Sequence, residues 1–220
     1  MQTVRENRTE THPQIFSASL WLVAKTICEV GIWMTKKVLG PKTHLCPMPV
    51  VLVGANVDER PNYLTVAFCG TVNFKPVIVA VGLGKTHHTN KGVRENGTFS
   101  INIPSAKMVV SSDYCGIHSG SKTDKSTIYG TFYGKLNTAP MIKECPLNFE
   151  CKLLQTIDFP VDEMFIGEVV ESYADQKYLT NGVPDAKKIH PILLTMPDNN
   201  YWSIGEPLGK AWEIGKKFRK

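Results

Sequence analysis

Gly82-Leu83-Gly84-Lys85-Thr86 is a segment whose residue types could hold a ligand, with flexible glycines, a lysine and a hydroxyl between an apolar run and a stretch free of proline. A Walker loop would need glycine five residues before Gly84, and that residue is Val79. A dinucleotide fingerprint starting at Gly82 would put its third glycine at His87. Both patterns fail. What survives is a strand running into a helix start, where free N–H groups, the hydroxyls of Thr86 and Thr89 and the Lys85 ammonium suit one phosphate group. The alternative is an ordinary strand-to-helix turn with a solvated lysine.

Two other groups of side chains could do chemistry. His87 and His88 are adjacent, so on a helix their rings diverge by about 100° and cannot share one metal ion as an i, i+4 pair would. Cys115 and His118 lie three apart in Cys115-Gly116-Ile117-His118-Ser119-Gly120, but no acyl-transfer signature accompanies them, and a thiol in a structural turn is the competing reading. Lys122, Asp124 and Lys125 form a mixed charged loop of the kind that is usually solvated.

The elements that must position these residues are mostly strands. Val50 to Ala55 is apolar, a turn is expected at 58–62, and Tyr63 to Phe68 is β-branched and aromatic, so the two pair as a hairpin. Val77 to Gly82 is a further buried strand, Thr89 to Glu95 a short helix, and Phe99 to Ile103 alternates as a strand. A helical stretch over 108–114 and a long polar segment over 115–143 precede strands at 149–157 and 165–172. Seven or more short strands with only two or three short helices predict an antiparallel β-barrel. A doubly wound sheet would need long crossover helices, and the pattern offers none.

With 220 residues and 42% hydrophobic and 20% charged residues, the chain has the composition of a globular domain, neither a disordered tail nor a membrane bundle. A net charge of +5 with dispersed basic residues argues against nucleic acid or a membrane surface as partner. The six cysteines contain no C-x-x-C pair and no zinc spacing, which reads as reduced thiols in a cytoplasmic protein. Residues 1–33 form a separate extension. Within it Leu20, Val23, Ala24, Ile27 and Cys28 fall at helical spacing, while Lys25 and Glu29 interrupt any membrane span. The expected functional domain is 34–220, with Met34 a candidate start.

Taken together, the segments 49–54 (PVVLVG), 60–68 (RPNYLTVAF), 79–85 (VAVGLGK) with Thr89, and 99–105 (FSINIPS) resemble the flavin reductase-like, FMN-binding split-barrel family, its flavoredoxin branch in particular. Cys115-Gly116, Ser119-Gly120, Asp124-Lys125, Glu144-Cys145-Pro146, the FIGEVV segment at 165–170 and Gly205-Glu206-Pro207-Leu208-Gly209 extend the resemblance over 36–209 in matching order. It implies a homodimeric split barrel that holds one FMN per subunit non-covalently and works as an oxidoreductase. Electrons would come from NAD(P)H or from a redox protein partner, and the rival reading, of a different class, is a flavin-binding carrier without turnover. The resemblance places Asn62, Tyr63, Leu64, Thr65, Val66, Ala67 and Phe68 along the flavin, with main-chain groups at the ring's polar edge and Phe68 where relatives often carry Trp. Gly84, Lys85, Thr86, Thr89 and Lys125 would surround the phosphate, and Ser119 is a further cofactor-binding residue the resemblance implies. No acid, base or metal ligand is nominated, because the flavin carries the redox step. Many relatives have His three residues before the Phe of that FIGEVV segment, where this chain has Asp162, an acceptor in place of a donor. Tyr201 and Trp202 are expected near the subunit interface, with a core role for Trp202 as the alternative.

Overall fold

The run Val50 to Val53 is apolar at every position, which suits a strand covered on both faces. A computed structural model, describing residues 36–43 and 45–219, bears this out. The expected helix over 20–28 lies outside the described residues. By its contacts the chain divides after Lys42. Of the first unit only 36–42 are described, exposed and without helix or strand.

In the second unit, β1 (Met48–Pro49) leads into β2 (Val51–Val57), which turns back into β3 (Arg60–Val66). The turn is two residues long, with Asp58 at φ 49° and Glu59 at φ 65°, the left-handed pair that matches the twist of a tight hairpin. The turn expected at 58–62 is therefore shorter, and Pro61 and Asn62 are in the strand, opposite Asn56 and Ala55. Pro61 is tolerated there because β3 is a sheet edge, where a missing N–H can face outward.

Next come β4 (Cys69–Asn73), β5 (Ile78–Gly84), α1 (Thr89–Asn96), β6 (Thr98–Ile103) and α2 (Val109–Ile117), which follows a 3-10 turn. α1 ends at Gly97, whose φ of 63° is the left-handed cap that glycine adopts without strain. The polar segment is irregular apart from the short pair β7 (Thr131–Phe132) and β8 (Met141–Ile142). β9 (Leu147–Asp158) and β10 (Asp162–Ala174) form one long hairpin, with register shifts between Ile166 and Gly167 and between Val169 and Glu171. A small hairpin, β11 (Leu179–Thr180) with β12 (Val183–Pro184), and one turn of helix, α3 (Ala186–Ile189), precede β13 (Ile192–Thr195) and β14 (Asn200–Ser203). β13 pairs with β1 and β14 in a separate three-stranded sheet.

The main sheet runs β3-β2-β6-β9-β10-β5-β4, antiparallel throughout. It curls on itself. Leu64 and Val66 of β3 share one core cluster with Val79, Val81 and Leu83 of β5 although four strands separate them in the sheet order. The edges β3 and β4 do not pair with each other, so the barrel stays open along one seam. A second cluster lies outside it: Leu52 and Tyr63 point to the other face and pack with Cys115, Tyr129, Ile142 and Cys145. That explains the uninterrupted apolar run, since odd positions of β2 fill the barrel and Leu52 fills the outer layer. Five described cysteines are free thiols, and among the described residues no helix is long and apolar enough to cross a membrane.

Candidate functional site

As an edge strand, β3 pairs on one side only and offers outward N–H and C=O groups on the other. Around that edge gather the start of α1, the end of α2 and the loop 118–125. Asn62 is 6% exposed and its Nδ2 donates to Thr89 Oγ1 at 2.7 Å, which fixes the start of α1 against the strand. Thr65 Oγ1 donates to the Ser112 carbonyl and ties α2 to the same strand. The loop can approach this closely because Gly120 has no side chain: a Cβ there would collide with the Asn62 carboxamide and touch the His88 ring.

A second clamp ties α1 to the barrel through its first turn and its body. Glu163, 1% exposed at the start of β10, accepts from Asn90 Nδ2 at 2.5 Å and pairs with Arg94. The N–H groups of Asn90 and Lys91 bond the carbonyls of His87 and His88 at 3.2 and 3.3 Å. Those of His88 and Thr89 have no main-chain partner among the described residues, and no side chain caps the helix. They are the orphan donors of a helix start, and an anion suits them.

A cleft of 370 Å3 opens at that helix start, lined by Leu64, Thr86, Thr89, Ser119 and Lys125 together with His87, His88 and His118. Lys125 is 2% exposed, and its Nζ donates to the carbonyls of Cys115 and His118 at 3.1 and 3.0 Å. No carboxylate pairs with it among the described residues. Burial holds its ammonium below the ordinary lysine value. A buried cation with only neutral acceptors and a third N–H to spare is matched to an anionic group. A cavity of 540 Å3 adjoins this cleft and shares Lys125, His88, Gly120 and Lys122 while adding Asn62.

Further along the strand a pocket of 230 Å3 is lined by Thr65, Val66 and Ala67 with Gly116, Ile117 and Tyr201. Beyond it Phe68, 45% exposed, lines a 350 Å3 groove with Gly82, Phe159 and Asp162. The chain from Asn62 to Phe68 thus passes a succession of concavities. Their walls change from polar near Lys125 to apolar near Phe68, as a ligand with a charged tail and a flat ring would require.

Not every residue singled out in the sequence turns its side chain to this site. The Tyr63 ring is fully buried in the outer core, with its hydroxyl 2.8 Å from Thr131 Oγ1, so only its main chain is available. Lys85 pairs with Asp158 at 2.8 Å. Gly84 is placed by its carbonyl, which accepts from Asn90 Nδ2 at 3.0 Å, and a Cβ there would be 3.3 Å from the His87 ring. Trp202 is 55% exposed, not core, and donates to Thr195 Oγ1 at 2.8 Å. Tyr201 donates to Asp113 at 2.7 Å, and burial together with that carboxylate pushes its hydroxyl up to about 12. The Cys115 thiol is fully buried and shifted upward by burial. His118 turns to Tyr114 instead, with its ring stacked 3.9 Å from the Tyr114 ring and its Nδ1 on that residue's carbonyl.

Sequence reading passed over His88, Gly116, Ile117, Gly120 and Lys122 as lining residues. The two glycines four apart were a signal of close backbone approach, but nothing local tells that the loop folds onto Asn62. Burial and the neighbouring Lys125 charge both lower the His87 imidazole from its ordinary value, partly opposed by Asp162.

The flavin reductase like domain model matches residues 43–192. Among solved structures, flavoredoxin from Methanosarcina acetivorans is 46% identical, covering 82% of this chain and 98% of that one with a TM-score of 0.80. Flavoredoxin of Desulfovibrio vulgaris (Miyazaki F) is 36% identical over 82% of this chain and 99% of that one, with a TM-score of 0.77. A split barrel domain protein from Shewanella frigidimarina NCIMB 400, at 20% identity and a TM-score of 0.64 over 74% of this chain and 85% of that one, shares the fold. An open antiparallel barrel, an edge strand lined with concavities and this match over most of the chain have one reading: the chain belongs to the flavin reductase like domain family, and its type is that of the flavin-binding oxidoreductases.

Proposed function

We propose that each subunit holds one FMN without a covalent link, and that the protein passes electrons from NAD(P)H or a protein donor to an acceptor as a homodimer. The observation that carries this reading is the buried, carboxylate-free ammonium of Lys125 beside the two unpartnered N–H groups at the start of α1. Lys125, Thr89 and the His88 and Thr89 N–H groups would hold the phosphate, with Thr86 and Ser119 at the cleft wall. The outer edge of β3 from Asn62 to Val66 would meet the ring's polar rim, and Leu64, Ala67 and Phe68 would lie along its apolar part. When bound, FMN supplies the redox chemistry, and the protein supplies orientation and local charge. Nothing in the site resembles a dinucleotide fold, so a nicotinamide donor would stack transiently on an open ring face.

The likeness to the two flavoredoxins supports the electron-transfer part. Acid precipitation of the purified protein is expected to release FMN, and anaerobic titration with NADH and then NADPH to bleach its absorbance with one or both. Release of FAD, or flavin that stays with the pellet, would overturn the cofactor assignment. A flavin that neither nucleotide reduces would move the donor to a redox protein.

A further inference from the structure

Residues 205–219 are all exposed, and four of them are large and apolar: Leu208 at 96%, Trp212 at 93%, Phe218 at 78% and Ile214 at 46%. Their hydrogen bonds and ion pairs are internal to the segment, apart from Glu206 with Lys187 at 2.7 Å. Single exposed apolar residues are ordinary, but a short segment that leaves four exposed is a contact surface awaiting its other half. The 350 Å3 groove between Phe68 and Phe159 is the complementary feature. Phe68 and Phe159 are 45% and 44% exposed, and the neighbouring Val161 is 74% exposed. Asp162 at its rim has no ion-pair partner among the described residues, as is true of Lys216, Lys217 and Arg219 in the tail.

We propose that the C-terminal tail of one copy lies over this groove of a second copy, seating Trp212 between Phe68 and Phe159. A second copy is the occupant the charges and the geometry favour. The tail's sixteen residues from Ile204 could span about 50 Å fully extended, yet within one chain they leave the groove uncovered. Every copy carries one tail and one groove, so a two-fold pairing covers both at once. An indole buries roughly 150–250 Å2 on such a seat, and the cations beyond it reach toward Asp162. The groove is continuous with the ring end of the candidate flavin site through Phe68, so the partner's tail would wall that end off from water. This inference rests on the dimeric reading given above.

Sedimentation equilibrium of the flavin-loaded full chain, beside a chain ending at Ile204, Trp212→Ala and Gly70→Leu, tests it. Gly70 lines the groove, and a Cβ there meets nothing within 4 Å, so leucine would fill the seat without disturbing the strand. Each change is expected to weaken the dimer at least tenfold. Truncation combined with Gly70→Leu should be no weaker than truncation alone, because the two remove the same contact. A wild-type dimer that truncation leaves unchanged, or losses that multiply in the combined variant, would overturn the tail exchange and leave the dimeric reading standing. A wild-type monomer that retains its flavin would overturn both.

Discussion

Lys125 makes the sharpest claim at the scale of single residues. A charge-assisted contact of roughly 1.5–3 kcal/mol is lost with the ammonium only when a phosphate is present. Lys125→Met is therefore expected to weaken FMN about tenfold to a hundredfold and riboflavin little, as read by fluorescence titration. Equal losses would make Lys125 structural. The same burial gives a pH signature. Because the folded lysine sits below its reference value of 10.5, the unfolded chain binds that proton more tightly. Stability of the flavin-free protein therefore rises as pH climbs through the lowered value toward 10.5. Phosphate restores the charged form, so FMN affinity falls over that window, and the methionine variant should lose the fall. Sequence named Lys125 only through the family resemblance. Its local context, between Asp124 and Ser126 in a polar loop, reads as solvent-facing, and the burial comes from Cys115 and His118 carbonyls that only the folded loop brings together.

At the scale of elements, α1 is held at two places: by Asn62 and Thr89 at its start, and by the Glu163 carboxylate through Asn90 and Arg94. Removing Arg94 leaves a 1% exposed carboxylate without its cation, a change that costs about 3–5 kcal/mol in buried pairs. Since Arg94 is itself half-exposed, Arg94→Ala is expected near the lower end, about 3 kcal/mol by denaturant titration. It should also lower flavin retention through the loosened helix start. Unchanged stability would show that water replaces the guanidinium. The two strands β9 and β10, the apolar β2 and the helix start at Thr89 were legible in the sequence because their periodicity is local, whereas the pairing of β9 with β10 was not. β4 was not. Cys69-Gly70-Thr71-Val72-Asn73 has weak strand composition and mostly exposed side chains, and it is a strand because β5 pairs with it. Pro61 hid the start of β3 for a related reason, since only the edge position makes a proline acceptable there.

For the whole molecule, the family match begins at residue 43. Removing 1–33 is expected to leave flavin content and thermal midpoint unchanged, as absorbance at the flavin band and differential scanning calorimetry would show. A colourless or insoluble product would mean that Leu20 to Cys28 pack on the barrel. Assembly is the second claim at this scale. A ring lying on an edge strand is half solvated in one subunit, so flavin content and dimer fraction should fall together on dilution, followed by sedimentation with flavin fluorescence in parallel. A monomer with full FMN affinity would remove the shared site. Barrel class was readable from strand count and turn residues. The open seam was not, because it depends on which edges fail to meet.

That seam exposes a hazard. The outer side of β3 is a row of unpaired N–H and C=O groups, and such a row is a template on which another chain can add a strand. Pro61 breaks the row at one end only. The cofactor would then act as a cover against self-association as well as a carrier of electrons. Flavin-stripped protein is expected to scatter light progressively at a concentration where the loaded form stays clear, and to clear when FMN is returned early. Folding yield would accordingly be set by how soon the nascent barrel meets its flavin.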